Sequence, residues 1–145
     1  MMQADSEPQI VMDYRVSSGG AQFYWIAGLA IAATILYTFD SGIYFPLGLA
    51  ATQLAADSTR GLSLAMRAGG ALSSLIFLGV FILSGYYARK GDLWAFILGG
   101  SFYIVDAALI FILGGWYALA VHGFFLYYII RGLLALREPG ELTAD

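Results

Sequence analysis

Leu93–Leu136 reads LWAFILGGSFYIVDAALIFILGGWYALAVHGFFLYYIIRGLLAL. From Leu93 to Leu113 the only formal charge is Asp106, and from Trp116 to Ile130 there is none, only the single histidine, His122. Gly114-Gly115 is the one break between the two halves. Each half is long enough, as an α-helix, to cross a hydrocarbon core ~30 Å thick. Measured from the break, Asp106 lies ~13 Å down one helix and His122 ~11 Å down the other. An acid and an imidazole thus share one depth on adjacent antiparallel helices, in a medium where a lone charge is expensive.

The rest of the composition agrees with that solvent. The 145 residues are 60% hydrophobic and only 12% charged, with a mean hydropathy of +0.76, too few charges to coat a soluble domain. The net charge of −3 comes mostly from the two ends of the chain, and no basic stripe is present to hold nucleic acid. Without cysteine there is no disulfide, thiolate nucleophile or iron–sulfur site.

Working outward, Met1 to Gly20 is polar, carries Pro8 and Ser17-Ser18-Gly19-Gly20, and reads as a flexible tail with a short strand at Ile10 to Val16. Ala21 to Phe39 is a first span without a charge, flanked by Tyr24, Trp25 and Tyr37 as interfacial anchors. Its acidic upstream flank and its length mark it as an uncleaved span, not a signal peptide. Pro46 opens a helix to about Ala56, too short to cross and expected to lie at the membrane surface in preference to dipping in and returning. A second span covers 66–88, capped by Arg89-Lys90-Gly91, after which Asp92 is placed to N-cap a third span, 93–113. The fourth covers 116–136, and 137–145 is a polar tail. The expected fold is an all-α, polytopic four-span bundle with one short interfacial helix. Arg15, Arg89, Lys90, Arg131 and Arg137 gather on one side against Arg60 and Arg67 on the other. The positive-inside rule then puts both termini in the cytoplasm of a cell whose inner (plasma) membrane the chain crosses.

Several residues are candidates for a buried polar layer. Tyr103 stands one turn from Asp106 on the same helix face, and Thr34 on the first span and Ser73 on the second reach a similar depth. In contact, Asp106 and His122 stabilise each other's charged form or share one proton. The functional reading is a proton-responsive site, a relay or a ligand pocket; the structural one is an interhelical hydrogen bond that fixes register. One histidine and no cysteine cannot build a typical zinc site, and no serine sits in a nucleophile-elbow context. No catalytic residue, metal or cofactor is therefore assigned. Gly28 with Ala32 and Gly70 with Ser74 form small-x-x-x-small pairs, and Gly99-Gly100 offers a further close approach. They serve packing inside one bundle or a homo-oligomer interface. Phe124, Phe125, Tyr127 and Tyr128 crowd the fourth span, as lipid-facing filler or as a stacking surface for a quinone, lipid tail or pigment.

The last two spans resemble small bacterial four-helix membrane proteins. The pattern is Tyr103-Ile-Val-Asp106 on the third helix, His122 on the fourth, and Arg131-Gly-Leu-Leu-Ala135 at its end. The resemblance implies that Tyr103, Asp106, His122 and Arg131 belong to one structural unit, and it brings no activity with it.

Two functional classes follow. In the first the chain is a non-catalytic accessory or assembly subunit of a larger membrane complex. In the second it is a small oligomeric transporter or channel that uses the Asp106–His122 layer for protons or an ion. A membrane enzyme acting on a lipid or quinone is the third and most distant reading. The bilayer is the one partner common to all three.

Overall fold

The structure, a computed structural model, describes the backbone of residues 7–38 and 63–137, with the side chains of 14–35, 63, 72 and 74–137. The expected interfacial helix at 46–56 and the end of the C-terminal tail lie outside the described residues.

All the described regular structure is helical: α1 Glu7–Thr38, α2 Leu64–Arg89, α3 Leu93–Ile112 and α4 Trp116–Arg137. By length and composition α3 and α4 are each able to cross a membrane, with mean hydropathies of 2.1 and 1.7. The helices pack in a ring, α1 on α2, α2 on α3, α3 on α4 and α4 back on α1. One large side chain from each meets at the centre: Phe23, Phe81, Phe96 and Ile129 are all at most 2% exposed. The Phe23 ring touches Phe81 at 6.3 Å and Phe96 at 6.1 Å, both tilted.

From Glu7 onward the N-terminal region corrects the reading of 1–20 as a flexible tail with a strand; residues 1–6 lie outside the described residues. α1 begins at Glu7 and runs without a break through Ser17-Ser18-Gly19-Gly20. The physical reason is helix crossing. A Cβ on Gly19 would stand 2.8 Å from the Gly132 Cα, and one on Gly132 would stand 2.9 Å from the Gly19 Cα. On Gly20 it would meet the Arg89 backbone nitrogen at 2.8 Å. These glycines are notches that let backbones touch, and that packing outweighs their low helix propensity. Val16 is buried in the same core.

Both short turns are built alike. After α2, the amide of Asp92 donates to the Tyr87 carbonyl at 3.1 Å and that of Gly91 to Ala88 at 3.0 Å. After α3, Gly115 donates to Ile110 at 3.0 Å and Gly114 to Phe111 at 3.1 Å. Each is a Schellman pair, and each needs a left-handed residue, supplied by Gly91 (φ 88°) and Gly114 (φ 76°). Asp92 occupies the N-cap position of α3, yet its side chain makes no capping bond, contrary to the role expected for it. Beside this turn the Lys90 ammonium lies 4.1 Å from the centre of the Tyr86 ring and donates to its hydroxyl at 2.7 Å. That hydrogen bond raises the Lys90 pKa above its ordinary value.

Candidate functional site: a buried acid–imidazole pair beside an apolar cleft

A helix repeat of 3.6 residues puts Tyr103 and Asp106 on one face of α3, and the two-glycine turn brings α4 back along that face. Asp106, His122 and Tyr103 are 3%, 2% and 2% exposed. His122 Nε2 is 2.9 Å from Asp106 Oδ2, and His122 Nδ1 is 2.9 Å from the Ala118 carbonyl oxygen one turn back on α4. The Tyr103 ring stacks on the imidazole, with centroids 4.5 Å apart and planes 12° from parallel. Phe81 and Phe125 hold Tyr103 in turn, edge-on at 6.0 and 6.3 Å.

The two hydrogen bonds determine how many protons the pair holds. A carbonyl oxygen only accepts, so Nδ1 carries a hydrogen and donates it to Ala118. Between Nε2 and Oδ2 there must then be one proton, on the imidazolium or on the carboxylic acid. Either way the pair is electrically neutral as a unit. Removing the shared proton sets the Nε2 lone pair against a carboxylate.

Asp106 has a second aspect. A cleft of about 270 Å³ runs between α2 and α3, lined by Phe77 and Phe81 from one and by Ser101, Phe102, Val105, Asp106 and Leu109 from the other. Ser101, Phe102 and Val105 are exposed along its outer edge. Phe77 and Phe102 meet edge-on across it at 5.9 Å. Among the described residues that line it, three are phenylalanines and Asp106 is the one with an ionisable side chain.

The remaining candidates fall elsewhere. Thr34 is half-buried on α1, and its hydroxyl donates to the Ala30 carbonyl at 2.8 Å; the side chain of Ser73 lies outside the described residues. Arg131 is exposed, nine residues and so half a turn of phase away from His122, separate from the Tyr103–Asp106–His122 unit. Of the packing glycines, Gly99 is buried, and a Cβ there would stand 2.6 Å from the Phe23 ring and 2.8 Å from Ser84. Gly100 is also buried, against Ile129. Gly28 and Ala32 are exposed, with nothing within 4 Å of a Cβ on Gly28. Ser74 is half-buried on α2, and the surroundings of Gly70 lie outside the described residues. Phe124 and Tyr127 face outward, whereas Phe125 turns inward onto Tyr103.

Sequence reasoning missed the cleft. Its signal was present as Phe77 and Phe81 one turn apart on α2 and Phe102 and Asp106 one turn apart on α3, but nothing in the spacing says that these two faces meet. Among the described residues no three His, Asp or Glu side chains gather as a candidate metal site. No family model, curated protein or solved structure matches the chain.

Proposed function

We propose that the chain is a multi-pass protein of the inner (plasma) membrane, crossing it four times with both termini in the cytoplasm. In this reading it is a small transporter that exchanges the proton held by Asp106 and His122. Support for four spans comes from the outward faces of all the helices. Ile31 and Ile35 on α1, Leu72, Leu75 and Ile76 on α2, Val105 and Phe111 on α3, and Phe124 and Tyr127 on α4 are all more than 40% exposed. A bilayer is the solvent that accepts such a surface. At ~1.5 Å per residue α1 is about 48 Å long, so it crosses the hydrocarbon and continues into the cytoplasm with its polar first turns.

The observation that carries the transporter reading is the double placement of Asp106: bonded to His122 on one side, part of a cleft wall on the other. A proton donor or acceptor that works must be reachable, and Asp106 is among the residues that line the cleft. The test is infrared spectroscopy of the protein in lipid nanodiscs as bulk pH is stepped, with Asp106→Asn identifying the carboxyl band. The expected result is a band that responds to pH. A silent band sinks the transporter.

A second reading has its own support. Both imidazole nitrogens are engaged within the chain, and Tyr103 covers a ring face. That is the form of a clamp setting the register of α3 on α4, as an accessory or assembly subunit of a membrane complex requires. The silent band is its expected signature.

A further inference from the structure

We propose that the outward face of α2 binds one anionic phospholipid, its phosphate held by Lys90 and Tyr86 and its acyl chains lying along Leu83, Ile82 and Gly79. This rests on the four-span reading above and adds a specific lipid ligand to it.

The headgroup site is a set of donors without an acceptor. The Lys90 ammonium has three hydrogens and gives one to the Tyr86 hydroxyl, 2.7 Å away. The hydroxyl oxygen accepts that bond, so its own hydrogen is left to donate. Among the described residues nothing takes it, and no carboxylate pairs with Lys90; Asp92 acts on the ammonium only through its field. Two ammonium hydrogens and one hydroxyl hydrogen therefore remain in one exposed cluster that carries a positive charge. Such a set matches a group with several acceptor oxygens and a negative charge, as the phosphate of a phospholipid is. Lys90 already lies over the Tyr86 and Tyr87 rings, 4.1 and 5.9 Å from their centres, and occupies the place a choline would seek there. A headgroup ammonium would also meet the lysine's own charge. The fitting headgroup is anionic overall, not zwitterionic.

The helix surface next to the donors suits acyl chains. The 3.6-residue repeat puts Ile76, Gly79, Ile82, Leu83, Tyr86 and Lys90 on one stripe of α2. The large apolar members of that stripe are exposed. Nothing stands within 4 Å of where a Cβ on Gly79 would be, which leaves a notch in the stripe between Ile76 and Leu83. One leaflet supplies about half of the ~30 Å hydrocarbon, which is ~15 Å or about ten residues of helix. Chains that start at Tyr86 therefore end at Ile76. Beside the donors Tyr87 meets Trp94 at 5.1 Å, and Trp94 is exposed, as aromatic side chains are at the headgroup level. Cation, aromatic layer and apolar stripe follow one another in the order of a lipid's phosphate, ester region and chains. A free phosphate or an acidic peptide would use the donors and leave the stripe unused.

The test is native mass spectrometry of the full chain released from vesicles of phosphatidylglycerol and phosphatidylcholine, mixed equally and matched in their chains. The expected result is one phosphatidylglycerol retained per chain, preferred about tenfold over phosphatidylcholine. Lys90→Gln should abolish the preference. Tyr86→Phe keeps the ring under the ammonium, deletes one donor and should lower the preference about threefold. Arg131→Gln removes an equal charge from exposed α4 surface, across the ring of helices from α2, and should leave it unchanged. A wash of the vesicles with millimolar inorganic phosphate should not displace the lipid. Equal retention of the two lipids overturns the proposal, as does a preference that survives Lys90→Gln or is untouched by Tyr86→Phe. Equal losses in Lys90→Gln and Arg131→Gln would show a diffuse basic surface and overturn it too, and so would displacement by phosphate. Flotation with phosphatidylcholine vesicles after an alkaline wash tests the underlying reading separately. A chain that stays with the vesicles keeps its place in the bilayer even where the lipid site fails; one that washes off loses both.

Discussion

The two ends of the bundle are held by different means. At the end marked by the Gly91 turn, helices meet backbone to backbone: Gly19 on Gly132, Gly20 on the end of α2, and Gly99 under the Phe23 ring. The fully buried rings of Phe96 and Phe23 pack directly on these crossings. At the Gly114 end the described residues form a small satellite cluster of Ile110 and Ala118, while Ile112, Leu113, Trp116 and Tyr117 are 65–89% exposed. The acid–imidazole pair and its cleft lie between these two described regions.

That contrast is open to attack by mutation, beginning where the effect should be greatest. Gly19→Leu drives a side chain into the backbone of Gly132, which has no rotamer to yield, and should cost about 3 kcal/mol or more. The same change at Gly28 meets open space and should stay within about 0.5 kcal/mol. Thermal unfolding followed by size-exclusion in detergent compares them, and equal losses would remove the claim that the Gly91 end is held by backbone contact. Next is the pair itself. Asp106→Leu leaves Nε2 without its partner and should cost about 1–3 kcal/mol. Adding His122→Leu should restore part of this, since apolar groups of similar shape need no partner. The double-mutant coupling should be about 1 kcal/mol, the range of interhelical hydrogen bonds in membranes; zero coupling would mean that the contact contributes no stability.

A smaller effect belongs to the Gly114 end. Gly114→Ala forces a Cβ into the left-handed region and should cost about 1–2 kcal/mol. The damage should stay local, visible as faster amide exchange around Ile110 to Leu119 with the Gly91 end unchanged. Exchange rising equally at both ends would show one cooperative unit in place of two unlike halves. Least of all, Tyr103→Phe keeps the ring on the imidazole and should leave both stability and the pair's response to pH nearly as they are. Tyr103→Leu, by contrast, should lose the stacking, about 0.5–1.5 kcal/mol.

Much of this was legible in the residues. The hairpin of α3 and α4 follows from two charge-poor runs around Gly114-Gly115, and the common depth of Asp106 and His122 follows from counting along them. The tail was misread because Ser17-Ser18-Gly19-Gly20 has the composition of a breaker. Its glycines work instead as notches, which only the partner at Gly132 and Arg89 reveals. The reverse happened at Gly28 and Ala32, a small-residue pair by spacing that the bundle leaves facing outward.

By itself the sequence determined the helical class, the apolar surface, the antiparallel hairpin and the depth of its two ionisable groups. All of these depend on local periodicity and on position along an axis. The tertiary structure alone decided which faces meet: that Nε2 reaches Oδ2, that Tyr103 covers the imidazole, that Gly19 rests on Gly132, and that Asp106 is also among the residues lining a cleft between α2 and α3. The physical reason is rotational. Spacing fixes how far along a helix a side chain lies, but the rotation of each helix about its axis is set by packing against its neighbours, and that information belongs to no single stretch of chain.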